Sequence, residues 1–424
     1  MRSKIQIGLV LSCSVAVIWL LGQLYHQLVG LYEQNGNLTQ SEYSWVFRLL
    51  LNCVGYSTVL LPAFFLYKYL QQINYFEKIS NSTWVSRALH TLYAEQNERI
   101  PDTIKPKEDE KREILEMIIC FSGLMGSYLI WGLLQEKIMT QEYIWKDGSV
   151  SRFNHSQFLV LINRLSAFAL AFGRLRWTGE PVFAAPLYKF SYCSLTNIVS
   201  AWCQYEALKY VSFPTQVLSK SCKVIPVMVM GKIVSRAHYQ TYEYLTALLI
   251  SAGMALFLFS THENTHASAA MGVSGICLLA LYMACDSFTS SWQAALFQRY
   301  TLKPLQMMCA VTLCSCALAA ASAPLRPATL TLLRHPMFVV DCLLLSASSA
   351  LGQVLIYRTI ARFGAVVFTI VMTLRQAVSI LISCAVYGHP VSLAGAGGVI
   401  VVFVAVFIRI HCRRRARKHT HKPV

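Results

Sequence analysis

The sequence predicts an all-α polytopic membrane protein, and three observations lead there. The first is composition. Hydrophobic residues make up 55% of the 424 positions, charged residues 13%, and mean hydropathy is +0.47; a soluble domain carries about 25% charged residues. The second is that the apolar residues come in long runs. Twelve segments hold the ~20 mostly apolar residues that a spanning helix needs, at 7–30, 46–70, 114–134, 156–173, 184–208, 213–234, 242–260, 271–297, 304–323, 337–360, 364–386 and 391–410. Lipid offers the backbone no hydrogen-bond partner, so each run must close its bonds internally as a helix. The third is loop charge. Residues 32–45 and 261–270 hold no Lys or Arg and 135–155 hold three, whereas 71–113 hold Lys78, Arg87, Arg99, Lys105, Lys107, Lys111 and Arg112. That asymmetry places the N-terminus in the cytosol, and twelve spans return the C-terminus to the same side.

Taken in order, residues 5–31 form an apolar run behind Arg2 and Lys4. It is too long for the hydrophobic part of a signal peptide and lacks a convincing cleavage site, so it reads as a retained first span. The second span has Arg48 and Lys68 near its ends as anchors, and the two make an N-terminal prefix, 1–72. Residues 73–113 read as a cytosolic linker; its piece PDTIKPKEDEKRE (101–113) has clustered charge and two prolines, as expected of a solvated connector. A ten-span core, 114–411, follows, divided into five spans (114–260) and five more (271–410). An odd number of spans per half requires the second copy to be inverted. The predicted architecture is therefore a ten-helix core of two inverted five-helix repeats plus a two-helix N-terminal prefix, a design in which the substrate site lies at the midplane between copies. A basic cytosolic tail, 412–424, closes the chain, with Cys412 beside it as a weak lipidation candidate. Asn37, in Asn-Leu-Thr, falls on the non-cytosolic side, where it could be glycosylated.

The formal net charge of +17 first suggests nucleic acid. The excess sits largely in short loops and the tail, where orientation in the bilayer accounts for it, so the expected partner is lipid and not nucleic acid. The 14 cysteines are scattered with no CxxC pair; they read as free thiols, with neither a disulfide framework nor a zinc site. HExxH, GxSxG and Walker motifs are absent, so neither an enzyme nor a nucleotide-driven pump is expected, and no cofactor is implied.

One stretch breaks the apolar pattern. Residues 205–231, YEALKYVSFPTQVLSKSCKVIPVMVMG, are long enough to span, yet Lys220 and Lys223 lie in the middle. A lysine at the centre of a spanning helix costs about 2.5–3.5 kcal/mol on insertion scales. Gln216, Lys220, Lys223 and Val227 fall on one helical stripe, bracketed by Pro214 and Pro226, which suggests a face turned to a water-filled cavity that receives an anion. The competing reading is that one lysine snorkels to an interface and the other pairs with Glu136, Glu206, Asp286 or Asp341. In the second half, the fourth span holds Arg375, flanked by Thr373 and Gln376. Its planar fork suits phosphate or sulfate, and pairing with a helix end is the alternative. Lys189 reads as interfacial. Gln204 and Tyr205 end the span before the lysines, and Tyr128, Trp131 and Gln135 lie on successive turns; these types suit stacking on a base and hydrogen bonding to its ring, although each singly is also an ordinary packing residue.

Four blocks carry a resemblance: ALKYVSFPTQVLSKSCKVIPVMVMGKIVSR (207–236), SYLIWGLLQEKIMT (127–140), CDSFTSSWQAALF (285–297) and FGAVVFTIVMTLRQAVSILISCAVYGHPV (363–391). They are similar to the nucleotide-sugar transporter family of the drug/metabolite transporter superfamily, and within it to members that carry the sulfate donor 3′-phosphoadenosine 5′-phosphosulfate. The resemblance implies a secondary antiporter in the Golgi membrane. It would import this donor from the cytosol in exchange for 3′,5′-ADP or AMP and so supply lumenal sulfotransferases. It also implies that Lys220, Lys223 and Arg375 meet the phosphates. From the residues themselves, Tyr205 and Gln216 are expected to orient the nucleotide, with Thr373 and Gln376 beside Arg375 completing the site; homo-oligomerisation is left open. The sequence departs from the family at Ala294, where relatives commonly have an acid, and at Ser291, where Asn is usual. Asp286 could take over the missing acid's role. Charge supports the substrate independently: the donor carries about four negative charges and a UDP-sugar about two, and three fixed cations suit the former better. A UDP-sugar antiporter of the same fold is the alternative.

Overall fold

A computed structural model describes residues 2–34, 44–75, 84–94, 110–140, 142–144, 150–152, 156–207, 210, 220, 222–261, 273–322, 335–387 and 393–420. The helices are α1 (Arg2–Gln34), α2 (Ser44–Gln72), α3 (Trp84–Tyr93), α4 (Glu110–Thr140), α5 (Ser156–Trp177), α6 (Leu187–Ala207), α7 (Val224–Ser235), α8 (Thr241–Thr261), α9 (Val273–Arg299), α10 (Pro304–Ser322), α11 (Pro336–Phe363), α12 (Ala365–Tyr387) and α13 (Leu393–Thr420). A short antiparallel hairpin, β1 (Glu142–Ile144) with β2 (Val150–Arg152), follows α4, pairing Tyr143 with Ser151. Every predicted span coincides with a helix, although for 213–234 the described helix begins only at Val224. Large apolar side chains such as Trp19, Phe65, Leu133 and Phe407 are more than half exposed, as expected of helices that face lipid. Among the described residues, four helices are individually long and apolar enough to cross a membrane. The chain is a helical, multi-pass membrane protein.

Local chemistry fixes several helix starts. Pro304 occupies the first position of α10, where its missing N–H is no loss. Three positions after the cap residue Lys303, the Gln306 side chain reaches back and accepts from the Lys303 N–H at 2.9 Å. Glu243 does the same for α8, accepting from the Gln240 N–H at 3.1 Å. Between α11 and α12 a single residue, Gly364, turns the chain with φ +85°, a conformation that glycine adopts without penalty.

The helices gather into two compact units that cut across the order of the chain. The first contains Met1–Arg99, Leu129–Leu195 and Leu302–Gln353; the second contains Ile100–Tyr128, Thr196–Thr301 and Val354–Val424. Each unit therefore draws on both the 114–260 and the 271–410 segments, and α4, α6 and α11 contribute to both units.

In the first unit α10 packs against α5 and against the prefix helix α2. Residues expected to be linker form α3, whose Leu89 and Tyr93 are buried with Leu66, Leu70 and Tyr75. Tyr67 stacks on Tyr188 with ring centroids 5.0 Å apart, and the Tyr93 hydroxyl donates to the Ala63 carbonyl at 2.9 Å. The turn from polar linker to packed helix is visible in the spacing of Ser86, Leu89 and Tyr93, one buried stripe on a ten-residue helix. Burial pushes the Tyr93 phenol up from 10 to about 12. The folded state thus holds the proton more tightly than the unfolded one. The resulting stabilisation is complete below about pH 10 and is lost as pH rises toward 12. Tyr93→Phe should cost about 1 kcal/mol through the lost hydrogen bond and flatten the alkaline fall in melting temperature across that window, as read by thermal unfolding of the detergent-solubilised protein. An unchanged alkaline limb would refute the assignment.

At the hairpin end of the same unit, Asp341 of α11 accepts from Lys137 Nζ at 2.8 Å and from the Tyr143 hydroxyl at 3.2 Å. Ile138, Tyr143, Phe338, Cys342 and Leu345 bury this end. Burial, then the charge of Asp341, raises the Tyr143 phenol well above its ordinary value.

The second unit is built around α8 against α13 and α7 against α9 and α12. Its core joins Val224, Val227 and Met228 to Ile250, Met254, Ile370 and Val402. At Gly253 an added Cβ would lie 2.8 Å from the Gly398 carbonyl and 2.9 Å from Val402 Cγ2, so glycine permits the close approach of α8 and α13, as small residues do between membrane helices.

Candidate functional site: a cation cluster with one carboxylate

The site lies within the second unit and begins at the start of α7. Lys223 precedes the helix with φ −62° and ψ −19°, its carbonyl accepts the first bond from the Val227 N–H at 3.1 Å, and its side chain does not cap the helix. Pro226 falls in the first turn, where a proline is tolerated. Val224, Val227, Met228 and Gly231 are buried, which anchors α7 in the core and fixes the position of Lys223. Val227, expected on the cavity stripe with the lysines, belongs instead to this core.

Lys223 Nζ forms an ion pair with Asp286 of α9. Lys220 lies within electrostatic reach of Asp286, Arg375 and Lys223. The Arg375 guanidinium sits over the Tyr128 ring, 4.6 Å from its centroid, a cation–π geometry. Its Nε is buried and has no hydrogen-bond partner among the described residues. Among the described residues, three cations and one carboxylate leave two net positive charges in a half-buried setting. Such charges cost solvation energy that a multiply charged anion can offset.

α9, which carries Asp286, is also rich in buried polar side chains. Ser287, Thr289, Ser290, Ser291 and Gln293 are all buried. Thr289 shares a hydrogen bond with Thr196 at 2.7 Å, and the Ser291 hydroxyl donates to the Val227 carbonyl at 3.3 Å, tying α9 to α7. Ala294, at the position where an acid was expected, packs against the apolar core.

Among the other predicted site residues, Thr373 is buried and its hydroxyl donates to the Thr369 carbonyl of its own helix at 3.0 Å. Gln216 and the side chains of Tyr205 and Gln376 lie outside the described residues. Lys189, expected at an interface, is buried near the Tyr188 ring. Among the described residues no cluster could hold a metal ion.

A model of the UAA transporter family matches residues 116–413. The chain belongs to that family. The relatives of this UAA transporter include the adenosine 3′-phospho 5′-phosphosulfate transporter 1 of Drosophila melanogaster, 47% identical over 96% of this chain and 94% of the relative. The human protein of the same name is 43% identical over 90% of both chains. The UDP-galactose/UDP-glucose transporter 5 of Arabidopsis thaliana is 35% identical over 75% of this chain and 93% of its own. A solved crystal structure superposes with a TM-score of 0.53 at 13% identity, covering 72% of this chain and 99% of that one; at that identity the likeness speaks for the fold alone.

The sequence offers four carboxylates as partner of a buried lysine; in the structure Asp286 pairs with Lys223, while Asp341 pairs with Lys137. The sequence groups Tyr128 with Trp131 as a base-stacking candidate. The structure separates them: Tyr128 meets Arg375, and Trp131 packs on the cluster around Ile138 and Tyr143.

Proposed function

We propose that this chain is a secondary antiporter for 3′-phosphoadenosine 5′-phosphosulfate. It moves the donor from the cytosol into the Golgi lumen in exchange for 3′,5′-ADP or AMP, and it has both termini cytosolic. The observation that carries the reading is the near-full-length likeness to phosphosulfate transporters of two animals, at 47% and 43% identity, against 35% over three quarters of the chain for a UDP-hexose transporter. The site chemistry agrees. Lys220, Lys223 and Arg375 are three cations within one compact unit, and the donor presents a 3′-phosphate and a 5′-phosphosulfate to meet them. In this reading Tyr205, Gln216, Thr373 and Gln376 orient the nucleotide. The core is two inverted five-helix repeats behind a two-helix prefix, and access alternates by movement about the midplane site.

The test is uptake of labelled donor into proteoliposomes holding the purified protein. Competition by 3′,5′-ADP and indifference to UMP are expected. Uptake inhibited by UMP and not by 3′,5′-ADP would replace this reading with a UDP-sugar exchanger.

A further inference from the structure

The Lys223–Asp286 pair poses a problem for an anion-binding site, because a carboxylate already occupies one of its cations. Asp286 also acts on Lys220. The pair is not closed to solvent: the Asp286 side chain keeps 27% of its surface exposed against 14% for Lys223. The carboxylate is thus the more exposed member of the pair. The joint between α7 and α9 is also held without it, by Ser291 on the Val227 carbonyl and by buried apolar contacts.

We propose that Asp286 is a resident counter-anion that competes with the substrate for Lys223, releasing the lysine as a phosphoryl or sulfate group arrives and taking it back as that group leaves. Exchange of one oxyanion for another at Lys223 is close to balanced. Binding therefore stays reversible, as transport requires: a site must hold its ligand firmly enough to select it and loosely enough to release it. Without Asp286, three uncompensated cations would hold a tetra-anion too long. This role rests on the anionic-nucleotide reading above.

The experiment uses full-length protein, with 3′,5′-ADP binding measured by ligand-induced thermal shift and donor exchange measured in proteoliposomes. Asp286→Asn should bind 3′,5′-ADP about tenfold more tightly than wild type, with a lower KM and a lower maximal exchange rate. A structural role predicts the opposite, weaker binding with raised KM; weaker or unchanged binding would overturn the proposal. If Asp286→Asn does not fold, Lys223→Gln/Asp286→Asn removes both charges together. Compared with Lys223→Gln alone, this double variant should bind 3′,5′-ADP about tenfold more tightly, because the carboxylate left facing the anion is gone, and binding no tighter than that of the single variant would overturn the proposal. The nucleotide that binds wild-type protein tests the parent reading separately. If that is UMP and not 3′,5′-ADP, the same variant-to-wild-type ratio is measured with UMP, and if no nucleotide binds, both fail.

Discussion

Lys220→Ala, Lys223→Ala and Arg375→Ala should each cut donor uptake about 10- to 150-fold, the range set by about 1.5–3 kcal/mol for a hydrogen bond to a charged group. The three losses differ in kind. Lys223→Ala leaves the Asp286 carboxylate facing the incoming anion, so it should be the most damaging. Lys220→Ala removes a cation crowded by Arg375 and Lys223; uptake falls while the fold is spared. Arg375→Ala loses the contact with Tyr128 as well as the proposed phosphate contact, and Arg375→Lys should recover little, because a point charge replaces neither the fork nor the stacked plane. Initial uptake rates in proteoliposomes, normalised to folded protein, measure the series. Wild-type rates in all three alanine variants would remove the site from this cluster.

The largest stability effect is expected at Glu243. One of its oxygens caps α8 through the Gln240 N–H, and the other accepts from Arg409 of α13 at 3.2 Å. Arg409 is buried, with 8% of its side chain exposed, and it also donates to the Glu243 carbonyl at 3.3 Å. Glu243→Ala removes the cap and takes the carboxylate from a buried guanidinium, which should cost about 3–5 kcal/mol. Glu243→Gln keeps an oxygen for the cap but not the charge, and should fall between. Glu243→Gln with Arg409→Met should regain most of the loss, since the buried charge is gone. Melting temperature and monodispersity in detergent read this order. Equal stability of the Glu243→Ala variant and wild type would show that the pair contributes nothing at the joint of α8 and α13.

Family membership has a practical consequence for these tests. The matched region, 116–413, excludes the prefix, yet α2 packs on α10, and Tyr67 stacks on Tyr188. The prefix is thus part of the packed first unit, and a truncated core would expose this seam. Functional assays are best made with the full chain.

The positions of the spans were legible in the sequence because transfer into lipid is a local matter: some twenty apolar residues in a row decide it regardless of the rest of the chain. The same locality made Lys220, Lys223 and Arg375 stand out, each being a cost that its own segment cannot offset. Partnership is not local. Asp286 meets Lys223 across a long stretch of intervening chain, and Tyr128 meets Arg375 only because the part of α4 up to Tyr128 folds into one unit with α12. The spacing of Asp341 and Asp286 relative to the lysines gave no way to choose between them. Likewise, α3 looked like polar linker until packing against Tyr67 and Leu70 gave its apolar stripe a place to bury. Composition and run length by themselves determined that this protein is a helical membrane protein with cations in its interior. Only the tertiary structure decided which carboxylate those cations share, because helices distant in sequence are brought to ion-pair distance by packing alone.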